Sequence, residues 1–129
     1  MSADAVWALE IVPNEQEVDP HARSLRHILT GLGVDAPQVR HSALYLLQAP
    51  RSPEIEHVAT LLCLNSVLAT ARDGALRVPD APWVIEVLPH PGVTDAEGES
   101  LASALHRAGF PGVRARAGHR YLIASGLDA

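Results

Sequence analysis

Residues 7–11 read Trp7-Ala8-Leu9-Glu10-Ile11, and 76 positions later (83 − 7 = 76) the chain reads Trp83-Val84-Ile85-Glu86-Val87. Trp7, Leu9 and Ile11 alternate with Ala8, Glu10 and Val12, the period of two that marks a strand with one buried face. The second stretch repeats that alternation through Trp83, Ile85 and Val87. The same offset, without a gap, sets Pro13 on Pro89, Asp19 on Asp95, Ser24-Leu25 on Ser100-Leu101 and Leu29 on Leu105. It also sets Gly33 on Gly109, Arg40 on Arg116 and Tyr45-Leu46 on Tyr121-Leu122. Chance gives a few matches in an Ala- and Leu-rich chain, but it does not place both tryptophans and both tyrosines in one register. The sequence therefore reads as an internal duplication of one strand–helix–strand unit.

The helix of each unit has its own start and stop signals. Asp19 is a good N-cap and Pro20 suits the first helical position. In the second unit Asp95 takes that place, with Glu97 and Glu99 in the first turn where the helix dipole favours negative charge. Thr94 with Glu97 offers a capping box as an alternative start. Leu25, Ile28, Leu29 and Leu32 form one apolar stripe; Leu101, Ala104, Leu105 and Ala108 form the other. Gly33 and Gly109 stand where a left-handed C-terminal cap is wanted. Second strands are expected around Val39 to Leu47 and Val113 to Ile123.

Between the units lies a further helix signal: Ser52 as N-cap, Pro53 behind it, then Ile55, Val58, Ala59 and Leu62 on one face. Asn65 is its expected end, with a short strand from Val67 to Ala69. The stretch from Ala71 to Pro82 carries Asp73-Gly74, Pro79 and Pro82 and reads as turn and linker. The expected organisation is a first unit over residues 1–70, a linker over 71–82 and a second unit over 83–129. Adding 76 to Ser52 gives position 128, so a second copy of this helix would begin where the sequence stops. The expectation is a chain that continues into a longer polypeptide.

Composition narrows the class. A chain of 129 residues suits one domain or two very small fused ones, and this size buries roughly two-thirds of its unfolded surface. The formal net charge of −5 argues against a nucleic-acid surface. All ten basic residues are Arg, a bias that fits base composition better than chemistry. The single cysteine, Cys63, cannot form an internal bridge, which points to a reducing compartment. No stretch approaches the roughly 20 apolar residues of a membrane span, and the start has no basic, cleavable leader. A cytoplasmic location is the expectation.

The second unit carries a recognisable run, Pro91-Gly92-Val93-Thr94-Asp95-Ala96-Glu97-Gly98. It resembles the "PGV-x-D-x-x-G" signature of the PurS family, the small subunit of phosphoribosylformylglycinamidine synthase. The likeness continues through Ala104-Leu105, Gly109-Phe110 and Val113 to Arg116-Ala117-Gly118-His119, where the family shows "V-x-x-V-R-x-G-K". The apolar helix leading to Asn65-Ser66-Val67 is similar to the family's "L-L-x-N-P-V", with Ser66 replacing Pro. Together these segments span nearly the whole chain. It departs from the family at His119 (usually Lys) and Ala96 (usually Pro). The first unit keeps Asp19-Pro20 but reads Asn14-Glu15-Gln16-Glu17-Val18 where "PGV" would stand.

The resemblance implies a role in purine biosynthesis. The parent enzyme uses ATP and glutamine-derived ammonia to convert formylglycinamide ribonucleotide to its amidine. PurS carries no catalytic residue there; it pairs as a dimer, joins the synthetase (PurL-type) and glutaminase (PurQ-type) parts, and helps wall the ammonia passage. Duplicated PurS-like modules form the N-terminal domain of fused, large forms of the enzyme. The family-motif residues that would serve as interface or backbone positions are Pro91, Gly92, Val93, Asp95, Gly98, Gly109, Arg116, Gly118 and Tyr121.

Other chemistry finds little support in the residues. A glutaminase needs a nucleophilic Cys beside a His and a carboxylate, whereas Cys63 sits on an apolar helix face and reads as a buried structural thiol. Neither a G-x-x-x-x-G-K-[ST] nor a G-x-G-x-x-G phosphate cradle occurs. The seven histidines lack H-x-x-x-H spacing, and His21 and His27 fall on poorly matched helix faces, so no metal or other cofactor is expected. Glu10 and Glu86 read as an exposed sheet face or a partner contact, and Trp7 and Trp83 as core fillers. Arg40 and Arg116 are open between binding an anion or partner carboxylate and forming a salt bridge to Glu10 or Glu86. Gly92, Gly98 and Gly118 read as backbone requirements.

The fold expected is α+β: two pseudo-symmetric strand–helix–strand units, mainly antiparallel, with helices on one face, imitating a PurS dimer within one chain. The function expected is a non-catalytic scaffold of formylglycinamidine ribonucleotide synthase. Lacking a tail helix, its second unit should leave an apolar patch near the second strand, and the chain should self-associate without its partner. The alternative is a sensing module that binds a free amino acid between paired α+β repeats, with Gly92 and Gly118 near the site. An independent hydrolase lacks any nucleophile–base set.

Overall fold

The alternation in residues 5–13 makes a strand whose Trp7, Leu9 and Ile11 are buried against helices. The same alternation in residues 83–87 sets only Trp83 against a helix core and leaves Ile85 and Val87 exposed. A computed structural model describes residues 5–15, 18–64, 69–73, 83–90 and 92–124. Along the chain run β1 (Ala5–Pro13), α1 (Pro20–Gly31), β2 (Gln38–Ala49), α2 (Pro53–Cys63), β3 (Ala69–Asp73), β4 (Trp83–Val87), α3 (Ala96–Arg107) and β5 (Arg114–Ala124). The strands form one open five-stranded sheet in the order β3-β1-β2-β5-β4. Every neighbouring pair is antiparallel. The chain is thus α+β, with three helices on a single sheet among the described residues. No helix among the described residues is long and apolar enough to cross a membrane.

The registers tie the sheet together. Trp7 faces Leu47 and Leu9 faces Tyr45 across β1 and β2. Trp83 faces Ile123 and Ile85 faces Tyr121 across β4 and β5. Each residue of the second set lies 76 positions after its counterpart in the first (83 − 7, 123 − 47, 85 − 9, 121 − 45). The bounds of α1, 20 to 31, shifted by 76 become those of α3, 96 to 107. Strands β2 and β5 meet at the sheet centre, where Ala43 faces His119.

All three helices cover one face. The larger core joins Ile55, Ala59 and Cys63 of α2 and Leu101 and Leu105 of α3 to Trp7, Leu9, Ile11 and Leu47 of the sheet. A smaller core joins Ala22, Leu25 and Leu29 of α1 to Val39, Tyr121, Ile123 and Trp83. Helix α1 therefore shares a core with the tryptophan of β4, and α3 with the tryptophan of β1. Part of the core of each unit is therefore supplied by the other.

The caps follow the sequence closely. Asp19 accepts from Ala22 N at 2.9 Å and Asp95 from Gly98 N at 2.9 Å. Asp95 is thus the N-cap of α3, and the alternative start at Thr94 is not used. Ser52 caps α2 through Ile55 N. Gly33 and Gly109 adopt φ of +94° and +102°, the left-handed conformation that ends a helix without a Cβ penalty. One boundary is corrected: β3 runs to Asp73, so residues 71–73, expected in the linker, are strand. They extend because Ala71 pairs with Ile11 of β1. Residues 74–82, like Asn65 to Leu68 and Pro91, lie outside the described residues.

Candidate functional site

The N-termini of α1 and α3 come to the middle of the sheet, and the side chains they carry there meet a cluster of titratable groups from β2 and β5. His21 comes from the first turn of α1, His41 from β2 and His119 from β5. One nitrogen of each ring lies within 4.8 Å of the other two. His41 Nε2 is 2.9 Å from His119 Nδ1. The rings of His21 and His41 stack at 4.5 Å, and His21 and His119 stand 4.6 Å apart. His41 Nδ1 lies 3.0 Å from Oδ2 of Asp19, the same oxygen that caps α1. Tyr121 completes the group, its ring 5.2 Å from that of His41.

Burial sets the electrostatics. His41 is 5% exposed, and loss of water pushes its imidazole down to about 4, against the pull of the Asp19 carboxylate. Burial also lowers His119, with Glu97 and Asp19 opposing the change. Tyr121 is raised, first by burial and then by Asp19. His41 is thus a neutral base at ordinary pH, in contact with a carboxylate and a second imidazole.

Under the 76-residue offset, Asp95 answers to Asp19 and Ala117 to His41. Asp95 uses its second oxygen to accept from the backbone N–H of Ala117 at 2.9 Å, so it holds β5 by main chain where Asp19 meets a side chain. Tyr45 stands nearby, its phenol pushed up to about 12 by burial and then by Cys63, Glu97 and Asp95. A groove of about 420 Å³ runs beside Asp95, lined by Val87, Thr94, Asp95, Glu97, Gly118 and His119.

Of the motif residues singled out in the sequence, Asp95 and Gly118 line this groove. Gly92 has φ of +86° in the turn before α3, and Val93 is exposed there. Arg116 donates to the carbonyl of Pro89, which ties that loop to β5. At Gly118 a Cβ would run into the carbonyl of Val87 and the side chain of Leu88, so the close approach of β4 and β5 requires glycine. Gly98 meets Asp95 and the carbonyl of Ala115 in the same way. Gly109 ends α3, away from the groove, and Tyr121 stands with the histidines. Pro91 lies outside the described residues.

Two expectations are corrected. Glu10, read as an exposed or partner-facing acid, is fully buried. It accepts from Ser42 Oγ at 2.6 Å and pairs with Arg120 at 3.1 Å. Arg120 also reaches Glu86 at 2.6 Å. The bridging cation is therefore Arg120, not Arg40 or Arg116. Arg120 faces both Ser42 and Glu86 directly across the ladder, which places its guanidinium between the two acids.

The histidines are the second correction. Four stay apart: His27, His57 and His90 are exposed, and the His106 ring lies 3.0 Å from the carbonyl oxygen of Val113. Three converge. Spacing along the chain could not reveal them, because their common point is made by a helix start crossing two strands. Cys63 is buried, and burial pushes its thiol up to about 12, far from a reactive thiolate. Comparison with protein-family models, curated proteins and solved structures finds no match to this chain.

Proposed function

We propose that this chain is a non-catalytic, PurS-like assembly module of formylglycinamidine ribonucleotide synthase, acting in the cytoplasm. Its two strand–helix–strand units take the place of a subunit pair, and the outer surface of β4 receives the synthetase (PurL-type) part. The observation that carries this reading is a difference between equivalent rows of the sheet. Trp7, Leu9 and Ile11 are buried beneath α2, at 1%, 7% and 8% exposure. At the corresponding places on β4, Ile85 and Val87 are 45% and 51% exposed and Trp83 is half-buried. Trp83 packs on the core under α1, but no described helix covers Ile85 or Val87, and no described strand pairs with the outer edge of β4. An apolar row beside an open strand edge is a docking surface in physical terms.

Three further features support the reading. The registers repeat at the offset of the sequence repeat, as expected of two copies closing on each other through β2 and β5. Gly118 and Arg116 of the family motif hold the segment before α3 against β5. Cys63 is buried, and burial pushes its thiol up to about 12, which holds it as the neutral thiol. Joining the glutaminase (PurQ-type) part and walling an ammonia passage belong to the same proposal.

The test is direct binding. The full chain is titrated with the purified synthetase polypeptide encoded in the same genome, and complex formation is followed by calorimetry and gel filtration. A defined complex is expected, weakened at least about tenfold by Ile85→Glu or Val87→Glu. Leu61→Glu, on the exposed side of α2, should leave it unchanged. Absence of a complex, or a complex indifferent to β4, rejects the proposal. Saturable thermal stabilisation by a free amino acid without any partner would favour a sensing module instead.

A further inference from the structure

We propose that His21, His41 and His119 form a binding site for one divalent transition-metal ion of the zinc class. The three rings come from α1, β2 and β5, so the site exists only in the folded chain. Zinc bound by imidazoles at about 2.0–2.1 Å in tetrahedral geometry sets its ligand nitrogens about 3.3 Å apart. The 2.9 Å between His41 Nε2 and His119 Nδ1 is close to that spacing. All three ligand atoms already lie within 4.8 Å of one another, which small ring rotations convert into a coordination triangle.

The surroundings match a metal site better than a packed aromatic trio. Asp19 approaches the far nitrogen of His41, the carboxylate–histidine arrangement that orients a ligand and raises its basicity. Asp19 is itself fixed as the cap of α1. The ligand set is all imidazole, which suits zinc, copper, nickel or iron and disfavours magnesium or calcium. His21 is exposed, which gives the ion an entry path, and His119 faces the groove that holds Glu97. A fourth position for water or a ligand oxygen is therefore open on that side. At the positions 76 residues away stand Glu97, Ala117 and Ala43, so the cluster is built on one side of the sheet centre only.

The probe is Zn²⁺ added to the chelator-stripped full chain, read by calorimetry and by melting temperature, with Co²⁺ substitution read by visible absorption. One ion per chain is expected, with a melting temperature that rises with Zn²⁺ and an intense, tetrahedral-type Co²⁺ band. His21→Ala, at an exposed helix start that the core does not need, should abolish the band while the fold persists by circular dichroism. His119→Ala should do the same, and His57→Ala should change nothing. Asp19→Asn keeps a capping side chain and should weaken Zn²⁺ binding about 10- to 100-fold. No saturable binding, or binding that survives both His21→Ala and His119→Ala, overturns the site. The scaffold reading does not depend on this outcome, because synthetase binding is read at β4.

Discussion

Leu9 and Ile85 hold equivalent registers and opposite places with respect to water, Leu9 on an interior strand and Ile85 on the edge strand β4. Each faces a tyrosine on the neighbouring strand, Tyr45 for Leu9 and Tyr121 for Ile85. Leu9 is 7% exposed and Ile85 45%. Truncation should separate them clearly. Leu9→Ala removes atoms from a filled core and should cost about 2–5 kcal/mol. Ile85→Ala should cost under about 1 kcal/mol. Urea denaturation of both variants checks this; equal losses would mean that β4 is covered in the native chain.

The start of α3 gives a sharper contrast. Asp95 holds both Gly98 N and, across the groove, Ala117 N. Asp95→Ala should therefore cost more than a simple cap, about 2 kcal/mol or above. Thr94→Ala should stay within about 0.5 kcal/mol, because its capping role is not used. Thermal melts of the two variants decide between these starts.

The polar row on the sheet face opposite the helices should behave as one unit. Arg120 is 5% exposed and links buried Glu10 to Glu86. Arg120→Met leaves Glu10 buried with Ser42 and should destabilise by about 3–5 kcal/mol. Exposed Arg114→Met on the same strand should be nearly neutral. In a double-mutant cycle, Glu10→Gln with Arg120→Met should lose less than the sum of the single changes.

Acid should weaken the chelator-treated chain through His41. Its folded value of about 4 lies below the ordinary 6.5 because of burial, so the native state binds fewer protons than the unfolded one. Stability is then fully present above pH 6.5 and lost as pH falls toward about 4, by up to about 3 kcal/mol. The groups facing His41 are Asp19, His21, His119 and Tyr121. His41→Gln should flatten the dependence between about pH 6.5 and 4.5, measured by urea midpoints.

Local signals made much of the fold legible. Asp19, Asp95 and Ser52 cap the helices the sequence placed behind them, and the alternation at Trp7 and Trp83 located β1 and β4. Those rules act over a few residues, where composition and geometry are directly linked. What escaped was long-range. Burial of Glu10 depends on Arg120, a residue 110 positions away on a strand two places across the sheet. The three histidines meet for the same reason: the β2–β5 register brings residues near 41 and 119 together, and no spacing along the chain encodes it. The apolar patch sits on β4, the first strand of its unit, because there the row beneath α2 has no described counterpart cover.

Hydrogen exchange on the full chain, with and without the synthetase polypeptide, tests the scaffold claim most directly. The backbone amides of residues 83–88 that point away from β5 should exchange quickly in the free chain and become strongly protected in the complex, while the exposed face of α1 stays unchanged. Protection that falls on α1 and leaves residues 83–88 as they were would contradict it.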